Sequence, residues 1–397
     1  MKRRDPFIVG ALLSLGISPP LQSGPAAPPD KLQAEKILLA AVEEIHVGQI
    51  DGAIARMGQL VSKYPDFKLA HLIHGDLLSA KAAPLRSMGG ASRGTPDSIE
   101  GLRKEALARI SGVQDTNLVR DSVPDLFLEL PANQKYVVTV DVKRSRLYLF
   151  ENTGGLPTLV QDYYVSTGVK GHGKILEGDQ RTPIGIYQTV EFLPDPELPD
   201  KYGAGAFPLD YPNQWDRRLG RTGYGIWLHG TPYETFSRPP QASDGCVALS
   251  NEDFRILMDD IGKSDTPVII ADKIQWIKKD NWLKQSESFK SLLHAWKQDW
   301  ESLDTSRYLQ HYSVHFQGSG KNFDQFKKHK NRVNAQKSFV DVDLDDISIL
   351  RYPGENNMMQ VTFKQKYKSS NFSNTSLKKQ YWKKEQGQWK IVYEGPA

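Results

Sequence analysis

The chain is almost free of cysteine, since Cys246 is the only one among 397 residues. One cysteine cannot close an internal disulfide, which excludes a disulfide-stapled scaffold. The histidines of the C-terminal part stand at no metal-ligand spacing with cysteines or carboxylates, so neither a metal site nor a cofactor is expected. The formal net charge of +4 is small for 397 residues and argues against a nucleic-acid partner.

The N-terminus has an apolar run, but not one long enough for a membrane span. Residues 7–17 read "FIVGALLSLGI", between a basic start, "MKRR", and the small and proline-rich stretch "SPPLQSGPAAPP". This layout predicts a signal peptide over residues 1–26, cleaved between Ser23 and Ala27, and an exported, periplasmic protein. A leader that is retained as an anchor is the alternative. In an exported chain, a lone thiol is either functional or buried and inert.

The remaining sequence divides into three parts of different texture, which predicts a multidomain α+β fold. Over residues 30–83, apolar residues recur at helical spacing, with breaks at Gly48 and Pro65 that predict about three helices. The order of small residues and proline there resembles a tetratricopeptide repeat, although a plain helical hairpin fits as well. Residues 84–125 show little periodicity and are expected to form a linker, which places a helical region with its linker at 30–125.

The middle part, residues 133–277, is expected to be mostly β. Residues 136–151 alternate apolar and polar side chains around a turn at 143–145, which predicts a hairpin. A short apolar strand ends at His229. A helix follows, with Ser250 or Asn251 as its cap and Gly262 at its end. Residues 284–397 form another unit, with a helix, a second short helix and then long alternating strands. Its aromatic residues are expected to be core rather than a pocket lining.

Cys246 and His229 share the β-rich part, and their chemistry is complementary. A cysteine attacks as a thiolate, so it needs a base that takes its proton and returns it to a leaving amine. His229 ends a strand in "IWLHG", and Cys246 lies in the turn "SDGC". A papain-like protease would have its nucleophile before its histidine, which is the reverse of the order here.

Three motifs in this part, "GDQRTPIGIY", "IWLHG" and "SDGC", resemble the catalytic domain of the L,D-transpeptidase (YkuD) family in type and order. The helix, helix and curved-sheet order after residue 284 resembles an NTF2-like domain. The combination of the two is similar to the cell-shape-determining peptidoglycan L,D-carboxypeptidases. The resemblance implies a periplasmic enzyme of the Gram-negative cell envelope that acts on peptidoglycan stem peptides.

The resemblance implies a role for each motif residue. Cys246 would attack the carbonyl between an L- and a D-centre to form a thioester, with His229 as base and then acid. The carbonyl of Gly230 would orient the imidazole. Ser243 would steady the turn, and the N–H groups of Gly245 and Cys246 would stabilise the oxyanion.

The expected substrate-binding residues are Trp227, Tyr224 and Asp244. Trp227 shares a strand face with His229 and would either wall the substrate groove or fill the core. Many members of the family carry a histidine at the position of Asp244, and an arginine or asparagine at that of Ala248. This departure leaves the acyl acceptor open, because a transpeptidase transfers to another stem peptide and a carboxypeptidase to water.

Three functions therefore stand as hypotheses. The first is an L,D-transpeptidase and the second an L,D-carboxypeptidase that trims tetrapeptides to tripeptides and influences cell shape. The third is a non-catalytic scaffold that recruits protein partners through its helical N-terminus and its NTF2-like domain. Thiol chemistry separates the classes, since an active-site Cys246 is expected to be alkylated rapidly below neutral pH and a core cysteine is not.

Overall fold

The computed structural model describes residues 33–119, 122–262, 265–355 and 357–397. The predicted signal peptide at residues 1–26 lies outside these ranges. Across the ranges described, no helix has both the length and the hydrophobicity that crossing a bilayer requires.

Four helices form the N-terminal part: α1 (Gln33–His46), α2 (Ile50–Lys63), α3 (Lys68–Ala80) and α4 (Pro96–Val119). The first three confirm the predicted helices, and Gly48, with φ of 77°, separates α1 from α2 as expected. Their apolar stripes pack into one core, with Leu38, Met57 and Phe67 fully or almost fully buried.

The prediction of a linker over residues 84–125 is wrong, because α4 occupies most of that stretch. The sequence shows no clear apolar period over this helix, because charged residues are buried in it beside Ala106. Glu105 and Arg109 lie one turn apart and are both buried, with their side chains 3.0 Å apart. This buried ion pair adds to the apolar contacts that Ala106 and Leu102 make with the other N-terminal helices.

The middle part is built from short strands, as predicted. Two strands precede it, β1 (Ser122–Pro124) and β2 (Phe127–Glu129). The strands that follow are β3 (Tyr136–Asp141), β4 (Arg146–Thr153), β5 (Leu156–Tyr164), β6 (Thr167–Gly168), β7 (Gly185–Gln188), β8 (Leu193–Pro194), β9 (Gly205–Pro208), β10 (Trp227–His229), β11 (Gln241–Ser243), β12 (Val247–Ala248), β13 (Pro267–Ala271) and β14 (Trp276–Lys278). Two helices lie among them, α5 (Gln214–Arg218) and α6 (Asn251–Ile261).

Two sheets and α6 enclose the core of this part. The larger sheet has the order β5-β4-β3-β13-β7 and contains the predicted hairpin, β3 and β4. The smaller has the order β12-β10-β9-β8. Val138, Leu228 and Phe254 come from the two sheets and α6 and meet in one cluster of buried side chains. Ser250 caps α6 by accepting the N–H of Asp253 at 3.1 Å, which confirms the predicted start of the helix.

The C-terminal part begins with a long helix and closes with a strongly paired sheet. Its elements are α7 (Lys279–Glu301), α8 (Thr305–Leu309), β15 (Tyr312–Gly318), β16 (Lys321–Asn322), α9 (Phe323–Asn334), β17 (Val340–Arg351), β18 (Met358–Ser369), β19 (Phe372–Glu385) and β20 (Gln388–Pro396). Helix α7 starts before the expected start of this unit at residue 284, and β2 joins β17 at the edge of its sheet. The aromatic residues Tyr308, Tyr312, Phe316 and Trp382 are buried in its core, as predicted.

A cluster of buried charges joins the N-terminal helices to the β-rich part. Glu35 of α1 lies 2.9 Å from Arg146 of β4 and 3.1 Å from Arg109 of α4. Arg146 also pairs with Asp162 of β5. Burial alone would raise the pKa of Glu35, but the charges of Arg146 and Arg109 hold it below its usual value. The helices are thus held against the sheet by paired charges in a buried interface.

We predict that Arg146→Met lowers the free energy of unfolding by about 3 to 5 kcal/mol, because it leaves Glu35 and Asp162 as buried charges without this partner. Urea denaturation measures the change. The control is Lys143→Met, which breaks an exposed ion pair with Asp272 and should cost about 1 kcal/mol or less. Equal losses in the two variants would contradict the account of the interface.

Candidate active site

Two adjacent parallel strands bring the predicted nucleophile and base together. Strand β10 pairs with β12 so that Leu228 lies opposite Val247 and His229 opposite Ala248. Continuing this register puts Cys246 level with Trp227. Because alternate residues of a strand share a face, Trp227, His229 and Cys246 all lie on the same side of the sheet. The register therefore places the predicted nucleophile and the predicted base on one side of the sheet, on neighbouring strands.

The ring of His229 is held in one tautomer. Its Nδ1 lies 2.6 Å from the carbonyl oxygen of Gly230, and a carbonyl can only accept, so Nδ1 carries the proton. Nε2 therefore keeps a free lone pair. Burial lowers the pKa of His229 to about 4, which makes the ring neutral at pH 7. The imidazole is thus ready to accept a proton.

Asn251, the first residue of α6, fixes the backbone that follows His229. Its Oδ1 accepts the N–H groups of Ala204 at 2.9 Å and Thr231 at 3.1 Å, and its Nδ2 donates to the carbonyl of Thr231 at 2.8 Å. A Cβ on Gly230 would lie 2.2 Å from that Oδ1, so only glycine fits there. From the sequence, Asn251 is a candidate helix cap only, because no local pattern links it to His229.

Ser243 and Gly245 shape the turn that presents Cys246. Ser243 Oγ donates to the carbonyl of Cys246 at 2.6 Å and accepts the N–H of Gly245 at 3.1 Å. Gly245 has φ of 123°, and a Cβ there would lie 2.7 Å from the carbonyl oxygen of Arg181. Because the Gly245 N–H is already paired with Ser243, its expected donation to an oxyanion does not fit the resting turn. The N–H of Cys246 stays the predicted donor.

The thiol of Cys246 is protonated in this geometry. It donates to the carbonyl of Gly225 at 3.3 Å. Burial raises the pKa of Cys246 to about 11, against the lowering effects of the Trp227 N–H and of Lys201. The expectation of rapid alkylation below neutral pH is therefore not supported. The resting site is a neutral thiol beside a neutral imidazole, so the proton must move as the sulfur attacks.

An aromatic wall borders the pair. The ring of Tyr202 lies 4.5 Å from that of Trp227 and meets that of His229 edge-on at 5.1 Å. Trp227 is therefore part of this aromatic wall, and its expected role in binding substrate remains a prediction. Tyr202 was not identified from sequence, because it belongs to a single helical turn, Asp200–Tyr202, that carries no motif.

Tyr224 and Asp244 border the site from more exposed positions. Tyr224 is 77% exposed and directly precedes Gly225, whose carbonyl accepts the thiol. Asp244 is exposed and accepts a hydrogen bond from Gln180 Nε2 at 3.0 Å. Their predicted roles in substrate binding remain predictions. Within the described ranges, no three acidic, histidine or cysteine side chains are grouped so that they could hold a metal ion.

Comparison with known proteins agrees with these features. Residues 135–270 match the model of the YkuD L,D-transpeptidase catalytic domain, and residues 288–395 match the Cds6 C-terminal NTF2-like domain. No curated protein matches the chain.

Two solved structures resemble the chain across most of their own length. Bd1075 of Bdellovibrio bacteriovorus is 29% identical, with a TM-score of 0.62, over 70% of this chain and 98% of Bd1075. The helical cell shape determining protein Pgp2 of Campylobacter jejuni is 26% identical, with a TM-score of 0.57, over 68% of this chain and 95% of Pgp2. The chain therefore carries a YkuD L,D-transpeptidase catalytic domain joined to a Cds6 C-terminal NTF2-like domain.

Proposed function

We propose that this protein is an exported L,D-transpeptidase that cleaves peptidoglycan stem peptides through a Cys246 thioester. The observation that carries the proposal is the tautomer of His229, because the Gly230 carbonyl leaves Nε2 free on the face that Cys246 shares. A scaffold needs no such arrangement. Export by the predicted leader would deliver the enzyme to the periplasm, where its substrate is found.

The proposed reaction has two halves, each with two proton transfers through His229. Cys246 Sγ bonds to the carbonyl carbon between the L- and D-centres while its proton moves to His229 Nε2. The C–N bond then breaks, and the imidazolium gives this proton to the leaving amine of the D-residue. An incoming amine or water attacks the thioester in the second half while His229 Nε2 takes its proton. The C–S bond then breaks, and the imidazolium returns the proton to Cys246 Sγ. The Cys246 N–H is proposed to stabilise the oxyanion in both halves.

We predict that Cys246→Ala abolishes release of D-alanine from a muropeptide tetrapeptide and leaves the fold intact, because the thioester cannot form. Mass spectrometry of the products and thermal unfolding measure the two effects. Lys366→Ala, which breaks an exposed ion pair with Asp345 in the C-terminal sheet, is the control and should keep full activity. D-alanine release by the Cys246→Ala protein would refute the thioester.

The pH dependence of kcat/KM provides a second test. Because His229 has a pKa of about 4 and must be neutral to accept a proton, activity should fall only below about pH 4 and stay high through neutral pH. On the alkaline side, ionisation of Cys246 is expected only near pH 11. Steady-state rates from pH 3.5 to 9 measure the acid limb. An acid limb near pH 6.5, the value of an unperturbed histidine, would contradict the buried neutral base.

An L,D-carboxypeptidase is the second candidate. It is favoured by the likeness of both domains together to Pgp2, a helical cell shape determining protein. The two candidates share the thioester and differ in what resolves it.

We predict that the acceptor is revealed by the products of a tetrapeptide at high concentration. A transpeptidase gives a 3-3 crosslinked dimer, and its share rises with peptide concentration because a second stem peptide competes with water. A carboxypeptidase gives tripeptide alone at every concentration. Chromatography with mass spectrometry measures the two products, and a dimer share that stays at zero would exclude the transpeptidase.

A further inference from the structure

The loop between His229 and Cys246 packs against the N-terminal helical part and hydrogen-bonds to it. The ring of Phe236 stacks on Phe67 at 4.2 Å, and its N–H donates to the carbonyl of Asp66 at 3.4 Å. The next residue, Ser237, donates through Oγ to Glu105 of α4 at 2.6 Å. The helical part thus contacts the catalytic domain at the segment that connects its base to its nucleophile.

Arg238 follows directly in this loop and reaches the border of the site. Its carbonyl accepts Tyr164 Oη at 2.8 Å, which fixes the backbone. Nη2 of its guanidinium donates to the carbonyl of Lys201 at 3.5 Å. The residue after Lys201 is Tyr202, whose ring contacts His229. The guanidinium therefore lies beside the aromatic wall of the thiol and imidazole.

The charge of Arg238 has little to bind to in the protein. Among the described residues, its guanidinium makes only that one long hydrogen bond and no ion pair, although it has five N–H donors and is half-buried. Arg109 and Arg146, the buried arginines of the domain interface, pair with carboxylates. Burial lowers the pKa of Arg238, and the charge of Asp244 opposes this effect, but Asp244 hydrogen-bonds to Gln180 rather than to Arg238. A half-buried guanidinium with so few partners can bind a carboxylate from outside the chain through two parallel hydrogen bonds.

We propose that Arg238 binds a carboxylate of the donor stem peptide beside the scissile bond, and that the N-terminal helices hold it there through Phe236 and Ser237. The inference rests on the proposed peptidoglycan substrate and names the recognition residue of that site. Two carboxylates of a tetrapeptide have the required chemistry: the terminal one of the D-residue and the one on the side chain of a diaminopimelate.

Arg238→Ala is expected to raise KM for the tetrapeptide on the order of 10- to 100-fold with little change in kcat, because a charge-assisted hydrogen bond to bound substrate is lost. Arg238→Lys should restore part of the loss. The matched control is Arg217→Ala, since this exposed arginine also donates to a backbone carbonyl, that of Pro212. A KM for Arg238→Ala equal to that of the control would overturn the proposal.

Two tetrapeptide analogues identify the carboxylate, one amidated at the terminal carboxyl and one at the side-chain carboxyl. The wild-type protein should lose affinity for the analogue that lacks the bound carboxylate, and the Arg238→Ala protein should not distinguish that analogue from the parent peptide. A KM increase in Arg238→Ala that is the same for all three peptides would mean a general structural effect and would overturn the proposal.

Binding without turnover separates this inference from the proposed reaction. Calorimetry compares the tetrapeptide Kd of Cys246→Ala with that of Cys246→Ala/Arg238→Ala. A Kd raised at least tenfold in the double variant supports the carboxylate site even when the wild-type protein releases no D-alanine, a result that would refute only the reaction. Equal Kd values would refute the carboxylate site whether or not the enzyme turns over.

The positioning role has its own test. Phe236→Ala should raise KM for the parent tetrapeptide but add little in the Arg238→Ala background, because both changes remove the same contact. Phe372→Ala, at a phenylalanine that is 58% exposed in the C-terminal sheet, is the control. Effects of Phe236→Ala and Arg238→Ala that simply add would overturn the positioning role.

Discussion

The candidate site depends on the side chain of Asn251. Its amide accepts the N–H groups of Ala204 and Thr231 and donates to the carbonyl of Thr231, so three separate segments meet at one planar group. Those segments are the approach to β9, the loop after His229 and the start of α6. Gly230, whose carbonyl selects the His229 tautomer, lies so close to this amide that a Cβ would clash with it. A hydrogen-bonding side chain on a helix thus determines which ring nitrogen can act as a base.

Burial favours the neutral form of both Cys246 and His229. It lowers the pKa of the imidazole and raises that of the thiol, so both groups are neutral at rest. A thiolate and imidazolium pair would be charged before substrate arrives, and the desolvated site disfavours this. The neutral pair keeps the nucleophile weak until a carbonyl is in place, and proton transfer is then coupled to bond formation.

Sequence predicted the features that are encoded locally. The hairpin over 136–151 follows from alternation, α6 from Ser250 and Gly262, and the Cys246 and His229 cluster from short motifs with a defined chemistry. Asn251, Tyr202 and Arg238 could not be assigned to the site, because each acts through contacts distant in sequence. Helix α4 was not predicted because its burial also depends on distant contacts. Its Arg109 pairs with Glu35, which lies on α1.

Strand β2 is synthesised long before β17, the strand with which it pairs. Glu129 of β2 pairs with Ile349 of β17, so the strand leaves the ribosome on the order of 200 residues before its partner exists. The catalytic domain is translated in the interval and can fold around its own core. Strand β2 can join the edge of the C-terminal sheet only after β17 has been synthesised. The NTF2-like domain therefore needs a strand from before the catalytic domain, and a fragment that begins at residue 284 would lack this edge strand.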